Sequence, residues 1–239
     1  PTNVGVVALD LRGRGASHDS PPPFDLSVLA DDIVRSLDHF DITRAIVAGY
    51  SMGGWIAAIC AQSHPDRVGR AVLVDGGFPI ADPDADADEV IEAVVGPSLA
   101  RVDRDFPDRK AFWDYWRAHP ALEKHWDDAM RPALEYELVE WNGGFRVRIN
   151  PEALRVNARQ ITVDHETRDA GSKLEVPAHL IVVERGTSDQ PGGMIPLQTA
   201  ETAETTMPNL TMEYLSDVNH YTLLLGKGAP IVAATIAPS

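Results

Sequence analysis

Residues 45–63 constrain the fold more than any other stretch of the chain. Ala45-Ile46-Val47-Ala48 is apolar and strand-like, Gly49-Tyr50-Ser51-Met52-Gly53 turns, and a helical pattern follows at once until His64-Pro65 stops it. The string G-x-S-x-G is weak by itself, since three fixed residues at ~7% usage predict roughly 0.1 chance matches in a chain of this length. Its context makes it strong. A strand directly before and a helix directly after are what a serine needs to be raised on a sharp corner as a nucleophile. The corner residue is forced into a strained backbone, and side chains two positions to either side are expected to collide, so Gly49 and Gly53 read as relief of that clash. Ser51 then stands at a helix N-terminus, where the Met52 N–H and the helix dipole can stabilise an oxyanion. The plainer alternative is a serine N-cap on an ordinary strand-to-helix turn.

Strand and helix patterns alternate elsewhere too, which predicts a mostly parallel sheet with helices on its faces. Strand-like runs occupy Val4–Leu9, Ala71–Val74, His179–Val183 and Leu210–Tyr214. Helical patterns occupy about Leu26–Phe40 and about Tyr221–Ile236. Between Phe78 and Glu175 the pattern turns mainly helical and aromatic, broken by one hairpin signal at Asn142-Gly143. The expected organisation is an α/β core from residues 1–77 and 176–239, with residues 78–175 inserted as a lid. Phe112, Tyr115, Trp116 and His119 recur at helical spacing, a stripe more often turned into a core than into a pocket. Asp82, Asp84, Asp86 and Asp88 alternate, but a calcium loop starting at Asp82 would need Gly and Glu where Ala87 and Ala93 stand. That segment therefore reads as a solvated acidic approach to a helix.

A serine hydroxyl needs a base. Of the eight histidines, His220 follows the last strand, which agrees with the order nucleophile, acid, histidine. His18 is the other plausible pocket-lining histidine, in the loop after the first strand-like run. The base in turn needs a carboxylate to hold its tautomer. Asp189 and Asp75 both follow strands and could both reach it. The expectation is Asp189, the usual acid position for this order, with Asp75 the alternative. Asp217 is too close to His220 along the chain.

Taken together, Val6-Val7-Ala8-Leu9-Asp10-Leu11-Arg12-Gly13-Arg14-Gly15-Ala16-Ser17, Gly49-Tyr50-Ser51-Met52-Gly53-Gly54 and Asn219-His220-Tyr221 resemble the α/β-hydrolase superfamily, esterase and lipase branch. The resemblance implies a Ser-His-Asp hydrolase without a cofactor, and in some branches the acid sits where Asp75 sits. It also implies strands ahead of Val4, one of them lying between the Val4 and Ala45 strands, and a His-Gly loop that supplies the second oxyanion donor. The expectation is accordingly that these residues form the C-terminal portion of a longer protein.

Composition narrows the function classes. A formal net charge of −15, from 36 acidic and 21 basic residues, disfavours a nucleic-acid partner. The single cysteine, Cys60, cannot form an intrachain disulfide and reads as a small core residue. No apolar run approaches a membrane span and no signal peptide is visible, so a cytoplasmic setting is the default. No metal or other cofactor is expected, and the partner is a small molecule, largely apolar given the aromatic insertion. The leading function is cleavage of a carboxylic ester, thioester or lactone by Ser51, His220 and Asp189, with Met52 N–H as oxyanion donor. The alternatives are carbon–carbon bond hydrolysis on the same residues and a non-catalytic small-molecule receptor.

Overall fold

Two strands are apolar on both faces, and they organise the rest. Ala71, Val72, Leu73 and Val74 at the end of β2 (Val68–Val74) are all buried, as are Leu180, Ile181, Val182 and Val183 in β5 (Ala178–Arg185). Such continuous apolar runs belong to parallel strands covered by helices on both sides. The computed structural model describes residues 4–82 and 84–237, and in it β1 (Ala45–Tyr50), β2, β5 and β6 (Leu210–Asn219) form one parallel sheet in the order β1-β2-β5-β6.

The period of two along each strand sorts the core into two layers. Ala71, Leu73, Leu180 and Val182 face α1 (Leu26–His39) and α2 (Met52–Ser63), together with the buried alanines of the later helix 197–206. Val72, Val74, Ile181 and Val183 face the opposite layer, where Leu223 and Val232 of the C-terminal helices pack. Helix α2 is the most enclosed, with Trp55, Ile56, Ala57, Ala58, Cys60 and Ala61 all buried. Burial pushes the Cys60 thiol up to about 11, which keeps it protonated and inert.

Between β2 and β5 the chain leaves the sheet. It forms α3 (Ala87–Val102), α4 (Arg109–Arg117), α5 (Pro120–Glu123), α6 (Arg131–Glu135), the antiparallel pair β3 (Leu138–Trp141) and β4 (Gly144–Val147), then α7 (Pro151–Val163) and α8 (His165–Arg168). The hairpin turns at Asn142 and Gly143 with φ of 47° and 82°, the two positive values a type I′ turn demands. This segment has a core of its own. Phe112 and Trp116 are fully enclosed with Phe106, Leu122, Met130 and Leu138, so that much of the aromatic stripe points inward.

Two sequence expectations change. Residues 4–9 form no strand: Val4, Val6, Val7 and Leu9 are exposed, and Val6 is 75% accessible. A strand exists only where a neighbour completes its ladder, and among the described residues β1 is the edge of the sheet, with no partner beyond β2. The single C-terminal helix is in fact α10 (Thr222–Leu225) and α11 (Ala229–Ile236), following α9 (Leu197–Thr206) and β6. Gly226 leaves helical geometry at φ −144°, and Pro230 is acceptable only in the first turn of a new helix.

The Trp55 indole is sealed between the sheet and the insertion, and its Nε1 donates to the Arg168 carbonyl at 3.2 Å. Trp55→Ala is therefore expected to cost about 3–5 kcal/mol, read as a lower urea midpoint without a change in slope.

Candidate active site

The corner at the end of β1 is strained as the sequence demanded. Ser51 has φ 54° and ψ −127°, a region that costs a non-glycine residue about 1–3 kcal/mol and persists only when surroundings enforce it. The enforcement is visible. The Ser51 N–H donates to the Val74 carbonyl at 2.8 Å, and the Gly54 N–H returns to the Ser51 carbonyl at 2.8 Å. A Cβ on Gly49 would overlap the Gly53 carbonyl, and one on Gly76 would overlap the Ser51 carbonyl. Gly53 is different: a Cβ there would meet open space, so the expected clash is carried by Gly49 alone on this side of the corner.

Parallel register brings the other residues to the same edge. Tyr50 is level with Val74, Val74 with Ile181, and Ile181 with Glu213, so residues following these strands converge. Asp75 comes next after β2 and is wholly buried. Its Oδ2 lies 2.7 Å from His220 Nδ1. The Tyr50 ring stacks on the His220 ring with centroids 4.7 Å apart, and its hydroxyl donates to the His220 carbonyl at 2.7 Å. Burial raises the Tyr50 phenol well above its ordinary range, helped by Tyr221 and Asp75, so it stays a donor. His220 is thus held at its ring and at its backbone, against the residue that precedes Ser51.

Asp189 does not hold the imidazole. Its Oδ1 accepts from Arg185 Nε at 2.9 Å and from Asn219 Nδ2 at 3.0 Å. Burial opposes its ionisation, but the Asn219 hydrogen bond and the Arg185 charge outweigh that and hold its carboxyl below the usual range. The contact with His220 expected of Asp189 is made instead by Asp75, which takes the Nδ1 edge of the ring from the end of β2. Asn219, which the sequence reading passed over, links the parts: it donates to the Ala121 carbonyl at 2.8 Å and, through Oδ1, caps Tyr221 and Thr222 at 3.1 and 2.8 Å. Tyr50 was missed as well, although both residues adjoin the two recognised positions. His18 bonds through Nδ1 to the Gly15 carbonyl at 3.0 Å and stays within its own loop.

Met52 opens α2, where its N–H belongs to the unpaired first turn of the helix. Among the described residues no group of three His, Cys, Asp or Glu could hold a metal ion, and no helix is long and apolar enough to cross a membrane.

Comparison with known proteins bears on the fold. The family described as alpha/beta hydrolase fold matches residues 4–151, more than half of the chain. The RutD protein of Caulobacter segnis, whose name provisionally makes it a carbamate hydrolase, is 41% identical over 73 residues, 30% of this chain and 27% of that protein. The chain thus matches about a quarter of the length of such relatives at this identity. A RutD from another Caulobacter species aligns over 87% of this chain and 70% of its own length at 26% identity. Among solved structures, E-2-(acetamidomethylene)succinate hydrolase superposes with a TM-score of 0.73 at 20% identity, covering 96% of this chain and 80% of that one. An esterase from a marine microorganism gives 0.61 at 18% identity, covering 91% and 79%. At these identities the structures share a fold.

The unequal glycines yield a test. Gly49→Ala is expected to lose about 3 kcal/mol or more through overpacking. Gly53→Ala should stay within about 1 kcal/mol of the parent, on the stabilising side, because alanine is the better helix residue. Urea titrations of the two variants compare them directly.

Proposed function

The chain belongs to the alpha/beta hydrolase fold family, and from that premise we propose that it is a serine hydrolase cleaving a carboxylic ester or a related acyl bond. What chiefly supports this reading is the buried hydrogen bond between Asp75 and His220, made beside the strained corner that carries Ser51. In the proposed reaction the Ser51 hydroxyl attacks the acyl carbon while His220 Nε2 takes its proton. His220 Nδ1–H, held by Asp75, keeps that tautomer, and the carboxylate stabilises the imidazolium that forms. The tetrahedral oxyanion receives the Met52 N–H and the positive end of α2. Collapse expels the alcohol or thiol, which takes the proton from His220 and leaves an acyl-Ser51 ester. Water, deprotonated by His220, then attacks that ester, and the serine recovers its proton as the acid leaves. A carbamate carbonyl, the group in the name of the RutD relatives, would be attacked in the same way.

In this reading residues 78–175 act as the lid. Asn219 ties that segment to the site, because one side chain bonds both Ala121 in α5 and Asp189 beside the sheet. Asp189 is then a positioning residue: it secures the turn carrying His220 without touching the ring.

A fluorophosphonate probe is expected to label the protein and to fail on Ser51→Ala. Turnover of p-nitrophenyl butyrate should fall about 10⁴-fold in Asp75→Asn, where the orienting carboxylate is gone, and much less in Asp189→Asn. The reverse order would return the acid to Asp189, and no labelling of the parent protein would favour a binding role without turnover.

A further inference from the structure

Arg14 differs from the ion-paired arginines of the chain. Arg12 has Asp32 at 2.6 Å, Arg185 has Asp189 at 2.9 Å, and the buried Arg101 has Glu137 at 3.6 Å. Among the described residues Arg14 has no carboxylate within ion-pair distance. Its Nη1 reaches the Arg12 carbonyl at 3.4 Å and its Nη2 reaches Met52 Sδ at 3.2 Å. The first contact is long and the second is to a weak acceptor, so a five-donor fork is left largely unused. The residue is half-buried, and burial alone pulls the guanidinium pKa down to about 10, still charged at neutral pH. A partly desolvated cation without a counter-charge is unfavourable. It is conspicuous in a chain with 36 acidic and 21 basic residues, where carboxylates are abundant.

The location of Arg14 is fixed. The Arg14 N–H donates to Leu11 at 2.9 Å, the Gly15 N–H to Arg148 at 3.0 Å, and the Asn150 N–H to Gly13 at 2.7 Å, which fastens the loop to the hairpin end of the insertion. Asp10, which precedes this loop, is not paired with Arg14; its Oδ2 accepts from the Ala16 N–H at 3.0 Å and from the Tyr136 hydroxyl. The guanidinium therefore touches the side chain of Met52, the residue that follows Ser51 and opens α2. A planar fork with free donors in such a place matches a carboxylate, which it can grip through two parallel bonds. The negative charge of the whole protein slows the approach of an anion but is screened beyond about 8–10 Å, so the local pairing decides.

We propose that Arg14 is a specificity-determining residue that binds a carboxylate carried by the substrate, making the preferred substrates monoesters or monothioesters of dicarboxylic acids. This rests on the hydrolase reading above, and it replaces the largely apolar substrate expected from the aromatic insertion. The test compares p-nitrophenyl hemiglutarate with p-nitrophenyl butyrate on the parent, Arg14→Met and Arg14→Lys. The parent should favour the hemiglutarate by about 10-fold or more in kcat/KM, the scale of a hydrogen bond to a charged group. Arg14→Met should bring that ratio to about one through KM, and Arg14→Lys should restore part of it. No preference in the parent, or an equal loss on both esters in Arg14→Met, overturns the proposal while Ser51-dependent butyrate turnover leaves the hydrolase reading standing. If neither ester is turned over, the hydrolase reading falls, and tryptophan fluorescence titration with glutarate decides the site. Binding weakened about 10-fold in Arg14→Met supports it, and equal or absent binding overturns it.

Discussion

The carboxylate of Asp75 is sealed from solvent, and one of its oxygens is bonded to the imidazole of His220. Burying a charge costs several kcal/mol unless a partner compensates, so this pair must form for the end of β2 to be stable where it lies. Asp75 reaches the position through a positive φ of 47°, and Gly76 follows with its Cα against the Ser51 carbonyl. The same turn therefore shapes the serine corner and aims the carboxylate.

Around that pair the chain divides work between two acids. Asp75 meets the ring, while Asp189 meets the backbone turn through Asn219 and is balanced by Arg185. The His220 N–H also donates to the Arg185 carbonyl at 3.1 Å, so the two systems join at the end of β5. A histidine clamped at its ring, at both main-chain polar groups and by the Tyr50 stack has little freedom to leave its tautomer or its plane. Such restraint is what general-base chemistry needs, because small misplacements of the acceptor nitrogen are costly in rate.

Residues 78–175 carry internal order of their own. Their inward aromatics give residues 102–147 a core independent of the sheet, so the segment can hold its shape while bonded to the site at few points. Ala121 meets Asn219, Arg168 meets Trp55, and Arg148 and Asn150 meet the loop that bears Arg14. Those joints lie along the seam between residues 78–175 and the sheet.

Much of this was legible in the amino-acid order. The Gly49–Gly53 corner, the period of two in β2 and β5, and the Asn142-Gly143 turn are steric or solvation constraints acting between residues close in the chain. Each appears in the structure near its expected place. The failures are of another kind. Residues 4–9 have the composition of a strand, but pairing requires a neighbour that composition does not reveal. Gly53 follows the motif, yet only the packed corner shows that Gly49 bears the clash. Asp75 and Asp189 both follow strands, and chain order alone favoured Asp189. Which of them lies against His220 follows from how β2, β5 and β6 align, which brings together residues 145 apart in sequence. Local geometry is written in neighbouring residues; the pairing of a particular carboxylate with a particular imidazole is decided only when register and burial set which groups lose their water together.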